Sequence, residues 1–257
     1  MLAYAIGAIW GNYFLIYFGV ILVLSFSIVP LFYIVEPRVL NSSHQTQQFH
    51  STETDWEQYI KLLIAHSTSW IGVQTMFVYM IGYIEQKLNP ISEFELGKIL
   101  AISFLILNTV RALLPAFFLE PLTEKIGRVK THILSISIMS LGYLGIVLFG
   151  KTSILLWILM AVCGIGWASI VSLPLAIMSE KVDKNKMGLF MGIYNASVAL
   201  PQLFASLVLG AFIQNAKDKN IIFIISCVSL ALSATLWILV KEPKSFRKSI
   251  NLEEVNE

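Results

Sequence analysis

No acidic side chain lies inside a long apolar run of this 257-residue chain; all sixteen Asp and Glu residues fall at run ends, in loops or in the tail. That excludes a proton relay carried by embedded carboxylates of the chain itself. Cysteine is nearly absent. Cys163 and Cys227 are the only two, and both sit within apolar runs, so they read as small buried residues and not as a disulfide or metal pair. Four histidines are scattered at 44, 50, 66 and 132, with no His-Glu-x-x-His pattern and no nucleophile motif. An enzyme, a metal centre and a bound cofactor are therefore not expected. Charge is also scarce, at 13% of residues with a dispersed net charge of +2, which excludes nucleic acid as a partner. The opening MLAYAIGAIWGNYF lacks a charged n-region and a small-residue cleavage site, so it is not a signal peptide. The last apolar run, 220–240, has no lysine of its own, since Lys219 and Lys241 flank it, and a retinal protein would need one there.

Apolar residues are abundant instead. They make up 56% of the chain, and the mean hydropathy is +0.74, outside the soluble range. Covering about 30 Å of hydrocarbon takes roughly 20 residues of helix. Seven segments have that length, at 13–35, 62–84, 98–119, 132–149, 153–178, 188–213 and 220–240. This predicts an all-α polytopic membrane helix bundle, with the lipid bilayer as its first partner. Residues 1–10 are apolar but too short to cross alone, and Gly11-Asn12 reads as a break. The polar stretch 36–60, centred on NSSHQTQQFHSTETD, reads as a linker. Its Asn41-Ser42-Ser43 matches the glycosylation pattern, without meaning in a cytoplasmic loop.

Basic residues give the orientation. Arg38, then Lys125, Arg128 and Lys130, then Lys181, Lys184 and Lys186, then Lys241, Lys244, Arg247 and Lys248 all fall on one side if the seven spans alternate. The other side has only Lys87, Lys98, Lys151, Lys217 and Lys219. The basic side is expected to be cytoplasmic, in a plasma membrane, with the C-terminus inside. An extracellular N-terminus without a leader then suggests helices upstream of Met1. Glu36-Pro37-Arg38 after the first span and Glu242-Pro243-Lys244 after the last recur at the same face, six spans apart. Two six-helix halves would give this, with only the last helix of the first half present.

Within 164–210, two apolar segments carry polar or helix-bending residues that an anchor would not need: Trp167, Ser169, Ser172 and Pro174, then Asn195, Pro201 and Gln202. Such groups face a partner helix or a water-filled cavity. Ser69-Trp70-Ile71-Gly72 with Phe77-Val78-Tyr79, the loop Glu124-Lys125-Ile126-Gly127-Arg128-Val129-Lys130, and Gly166-Trp167-Ala168-Ser169 through Pro174, Gly192-Ile193-Tyr194-Asn195 and Pro201-Gln202 together resemble the second half of a major facilitator superfamily transporter. Within it, they are most similar to the sucrose-type sugar/proton symporters. The resemblance implies residues 1–35 as a remnant of an N-terminal bundle, 36–60 as a cytoplasmic linker, 61–241 as the C-terminal six-helix bundle and 242–257 as a tail. It also implies a sugar such as a disaccharide as substrate, proton symport by alternating access, and a coupling acid on an absent first half. The chain alone would then be a half-transporter needing an N-terminal partner or a homodimer. A seven-helix receptor or scaffold is the alternative that the span count alone would allow.

Arg111 is the one ionisable residue deep within a span, 12 residues after Ile99 and 8 before Leu119. A central arginine costs from about 2.5 kcal/mol upward, so it should face the interior. Asn108 and Pro115 share its helical face, and its partner is either a cavity ligand or a structural ion pair. Gly188, Gly192, Asn195, Ala199, Gln202 and Ser206 form one narrow stripe, either a substrate wall or a helix seam. Amides beside an aromatic plate suit a sugar, with Trp70, Trp167 or Tyr79 as the plate. Gln74 lies one turn beyond Trp70, for binding or for interhelical bonding. Gly164, Ala168, Ser172 and Ala176, every fourth residue, read as packing. His66 is the one local candidate for a proton-coupling group, but it lies close to the cytoplasmic end and reads rather as a structural histidine. The loop residues Glu124, Lys125, Gly127, Arg128 and Lys130 are implied by the resemblance to latch neighbouring helices in a gate, or else to form a basic cluster at lipid headgroups.

Overall fold

The computed structural model describes residues 2–10, 12–33 and 53–242, and among them there is helix and no strand. The helices are α1 (Leu2–Trp10), α2 (Asn12–Tyr33), α3 (Trp56–Leu88), α4 (Glu93–Ile126), α5 (Arg128–Phe149), α6 (Ser153–Ser179), α7 (Lys184–Asn215) and α8 (Ile221–Trp237). The linker's Asn41-Ser42-Ser43, the Glu36-Pro37-Arg38 turn and the basic tail from Pro243 onward lie outside the described residues.

Four helices are long and apolar enough to cross a membrane: α4, α5, α6 and α7. α8 and the apolar core of α2 (Ile16–Val29) are shorter, while α3 runs for 33 residues with more polar content. α3 and α4 begin ahead of their apolar runs, where capping side chains start them in polar sequence. Ser92 accepts the Glu95 amide at 3.2 Å while the Glu95 carboxylate accepts the Ile91 amide at 2.6 Å, starting α4 well before residue 98. Asp55 caps α3 through the Gln58 amide, and Thr152 caps α6 through the Leu155 amide.

α3, α8, α5, α6 and α4 pack in sequence, each on the next, and α7 docks on α3. Small residues set the closest approaches. A Cβ on Gly166 would lie 2.4 Å from that of Met139, and one on Gly142 2.8 Å from the Cys163 sulfur, so α5 and α6 are held at glycine distance. Gly164 does the same against Val110 of α4, and Gly72 against the Ser226 carbonyl of α8. Serines stitch α3 to α8. Ser226 donates to the Gly72 carbonyl at 2.7 Å, Ser233 to the Ala65 carbonyl at 2.7 Å, and Ser69 pairs with Ser233 at 2.6 Å. Such bonds remain within the bundle, where lipid offers no competing partner.

Two helices are irregular. α4 contains a π-turn at Pro115–Leu119 and α7 one at Ala205–Leu209. Each lies on the C-terminal side of a proline-bearing stretch, and such turns often occur at functional sites. Pro201 has no N–H for the Ser197 carbonyl, and the Ser67 hydroxyl of α3 donates to it instead at 2.9 Å. Nine residues on, the Tyr79 hydroxyl donates to the Ser206 carbonyl at 2.8 Å. α3 therefore supplies the hydrogen bonds that a bent α7 cannot make with itself.

Candidate functional site

The candidate residues lie on α3, α4, α6 and α7, while α5 and α8 pack behind α6 and α3. At mid-bundle the aromatic residues join into a row. His66 stacks on Tyr194, with ring centroids 4.9 Å apart; Trp70 meets Trp167 edge-on at 5.6 Å; Phe77 bridges Trp167 and Phe104 at 5.2 and 5.1 Å; and Tyr4 of α1 touches Phe104. The Trp70 indole donates to Nε2 of His66 at 2.9 Å. Trp70 and Trp167 are thus brought together from helices that are not neighbours in sequence, and the plate they offer is a corner of two rings 84° apart, not one flat surface.

The Arg111 guanidinium carbon sits 5.6 Å from the centroid of the Trp167 ring. A cation over the electron-rich face of tryptophan is attracted by about 0.5–2 kcal/mol. Arg111 is half-buried, and no carboxylate among the described residues pairs with it. The structural ion pair weighed for it is therefore not made within the described chain. Asn108 spends its amide N–H on the Phe104 carbonyl at 2.8 Å, one turn back on α4, which leaves its carbonyl oxygen available. Gln74 is half-buried beside this row, with its side chain unbonded.

On α7, Asn195 is exposed and Gln202 half-buried, and neither side chain bonds to another described residue. A Cβ added to Gly188 or Gly192 would meet nothing within 4 Å. At Gly188 and Gly192 the helix seam considered for this stripe is not made by any described helix, while its Ser206 end meets Tyr79 of α3; the bundle's tight seams use Gly72, Gly142, Gly164 and Gly166. Tyr79 is no free plate, because its hydroxyl is committed to α7 and its ring closes on Gly210. Ser169 is also removed from the row, paired with His132 of α5 at 2.7 Å. Ser172 and Ala176 line a groove of about 440 Å³ with Pro115, Leu119, Glu120 and Thr123, where α6 diverges from the π-turn of α4.

The basic loops gather at one end of the bundle. Gly127, with φ of 93°, makes the corner between α4 and α5, a conformation that favours glycine. Arg128 pairs with Glu180 at the end of α6. The Glu242 carboxylate accepts the Val129 amide at 2.8 Å and the Lys130 amide at 3.2 Å, placing a negative charge on the α5 N-terminus. The Lys181 ammonium donates to the Lys241 carbonyl at 2.6 Å, and the Lys241 amide donates to Gln58 of α3 at 2.7 Å. Burial pushes the Lys181 pKa below the ordinary lysine value, against the pull of Asp55, Glu242 and Glu180. Glu124, Lys125 and Lys130 keep exposed side chains. Sequence reasoning missed Glu242 as a cap; its place in the Glu-Pro-Lys turn was the available signal. At the opposite end Lys87 pairs with Asp218 at 2.7 Å, holding the Asp218 carboxyl below the usual range.

Among the described residues, four helices long and apolar enough to cross a membrane, with basic residues collected at one end, define a membrane helix bundle. The Major Facilitator Superfamily model matches residues 1–206 and 62–254, and the chain belongs to that family, a class of transporters and not of enzymes. Among solved structures, a POT family transporter, PepTSo, superposes with a TM-score of 0.60 at 14% identity, covering 71% of this chain and 37% of that one. An auto-inhibited POT family peptide transporter gives 0.58 at 15%, covering 72% and 37%. The chain thus spans little more than a third of either, and at these identities the likeness is one of fold. A search of curated proteins gives no match.

Proposed function

We propose that this chain supplies the C-terminal half of a secondary transporter that moves a small polar solute by alternating access. In this reading the solute is a sugar of disaccharide class, its ring packed on the Trp70–Trp167 plate and its hydroxyls met by Gln74, Asn108, Asn195 and Gln202. The basic end is cytoplasmic, the membrane is the plasma membrane, and the linker joins a first half through α2. One observation carries the reading: Gln74, Asn195 and Gln202 on α3 and α7, and the carbonyl of Asn108 on α4, have no partner among the described residues and form a polar surface only half-covered by their own bundle. Hydrocarbon would penalise such a surface. A second bundle enclosing an aqueous cavity satisfies it.

Arg128, Gly127 and Glu242, with Glu124, Lys125 and Lys130, form the gating end, where the Arg128–Glu180 pair ties α5 to α6 in one state and is released in the other. Proton symport would require an embedded acid, and the described carboxylates all lie at helix ends or in loops. The coupling group therefore belongs to the partner half. Proteoliposomes holding this chain alone should take up labelled disaccharide no faster than empty vesicles. Adding a first-half bundle in trans should raise uptake, and dissipating the proton gradient should abolish the increase. Uptake by the chain alone would refute the half-transporter reading. No uptake in either preparation would count against disaccharide transport.

A further inference from the structure

In the aromatic row the two buried side-chain atoms that lack a partner among the described residues, on His66 and Trp167, are both hydrogen-bond donors. An indole N–H can only donate, so its bond from Trp70 requires His66 Nε2 to accept, at 2.9 Å. The His66 ring is then neutral with its hydrogen on Nδ1, and that buried N–H finds no acceptor. The Trp167 indole N–H is likewise buried without an acceptor, in a residue only 8% exposed. Arg111, lying over the same Trp167 ring, adds the donors of a guanidinium that no described carboxylate neutralises. Buried donors without acceptors are costly, and a mid-membrane cation without a counter-ion is costlier.

At the Arg111 end the hydroxyls of the sugar proposed above leave the charge unmet, because each brings a donor of its own as well as an acceptor, so that sugar needs an anionic substituent there. An oxyanion brings acceptors only, and it supplies the missing charge. Resting on the transporter reading above, we infer that the solute carries an anionic oxygen group, a carboxylate or a phosphate, which Arg111 and the Trp167 N–H bind at the edge of the Trp70–Trp167 plate. The ring of the solute lies on the plate and its charged group lies at Arg111. His66 takes no part in holding the anion; it positions Trp70 by accepting its N–H.

Arginine-specific modification reads this site directly. The chain, reconstituted in lipid nanodiscs, is treated with phenylglyoxal at constant ionic strength, and modification at Arg111 and Arg128 is followed separately by peptide mass spectrometry. Glucose, glucuronate and glucose 6-phosphate serve as probes that differ only at C6. Glucuronate or glucose 6-phosphate should slow modification at Arg111 at least fivefold, glucose less than twofold, and none should change the rate at Arg128. Whichever charged probe protects identifies carboxylate or phosphate as the group bound. Trp167→Phe keeps the plate, removes the N–H and should reduce protection by about threefold. Equal protection by glucose would overturn the anionic group and leave the polar-solute site standing. Protection by none of the three would overturn both.

Discussion

Arg111 and Ser67 show how differently single residues can be read. Arg111 was conspicuous as the only charge deep in an apolar run, and its helical face was legible from spacing alone. Its contact with Trp167 was not legible, because it depends on how closely α4 approaches α6, and that distance is set by Gly164 against Val110. Ser67 gave no signal at all, yet its hydroxyl satisfies the carbonyl that Pro201 leaves free. Ser67→Ala should therefore cost about 1–2 kcal/mol, the order of an orphaned buried acceptor in a membrane bundle. That corresponds to a fall of a few degrees in the Tm of detergent-purified chain, and Ser67→Thr should restore most of it. A Ser67→Ala chain as stable as the parent would contradict the role assigned to this bond.

At the level of elements, hydropathy located the helices but not their ends. The apolar run 98–119 belongs to a helix that reaches from Glu93 to Ile126, since capping and a π-turn continue it where hydropathy falls. The π-turns themselves left only the prolines as a trace. The stripe on α7 was visible from its alternating spacing, but whether it packs or faces outward depends on which helices surround α7, and only α3 does so extensively. The end of α8 was likewise unreadable as a strap. Glu242 returns across the basic end to cap α5, while Lys241 engages Gln58 and Lys181. Glu242→Ala should remove two charge-assisted bonds to the α5 N-terminus, with a cost of about 1 kcal/mol. Hydrogen exchange at the Val129 and Lys130 amides should quicken severalfold, with the middle of α5 unchanged. Exchange that stays slow at those amides would mean that α5 does not depend on this cap.

For the whole molecule, the two ends of the bundle are chemically distinct and its sides are not equivalent. α5 and α8 bury small residues and serines against their neighbours, and their unpaired polar atoms, on His132, Tyr143 and Trp237, are buried, whereas α3 and α7 carry unpaired polar side chains at half-buried or exposed positions. In the transporter reading proposed above, this polar face meets water inside the membrane. Leu200, Leu203 and Leu207 test it from the same helix, because they are exposed on α7 roughly a third of a turn from Asn195 and Gln202. In a background carrying Cys163→Ala and Cys227→Ala, single cysteines at 195, 202, 200 and 207 would be labelled in lipid vesicles with a membrane-impermeant maleimide. Asn195→Cys and Gln202→Cys should be labelled at least tenfold faster than Leu200→Cys and Leu207→Cys. Equal, slow labelling at all four positions would place the polar stripe in lipid or in a dry seam and contradict it.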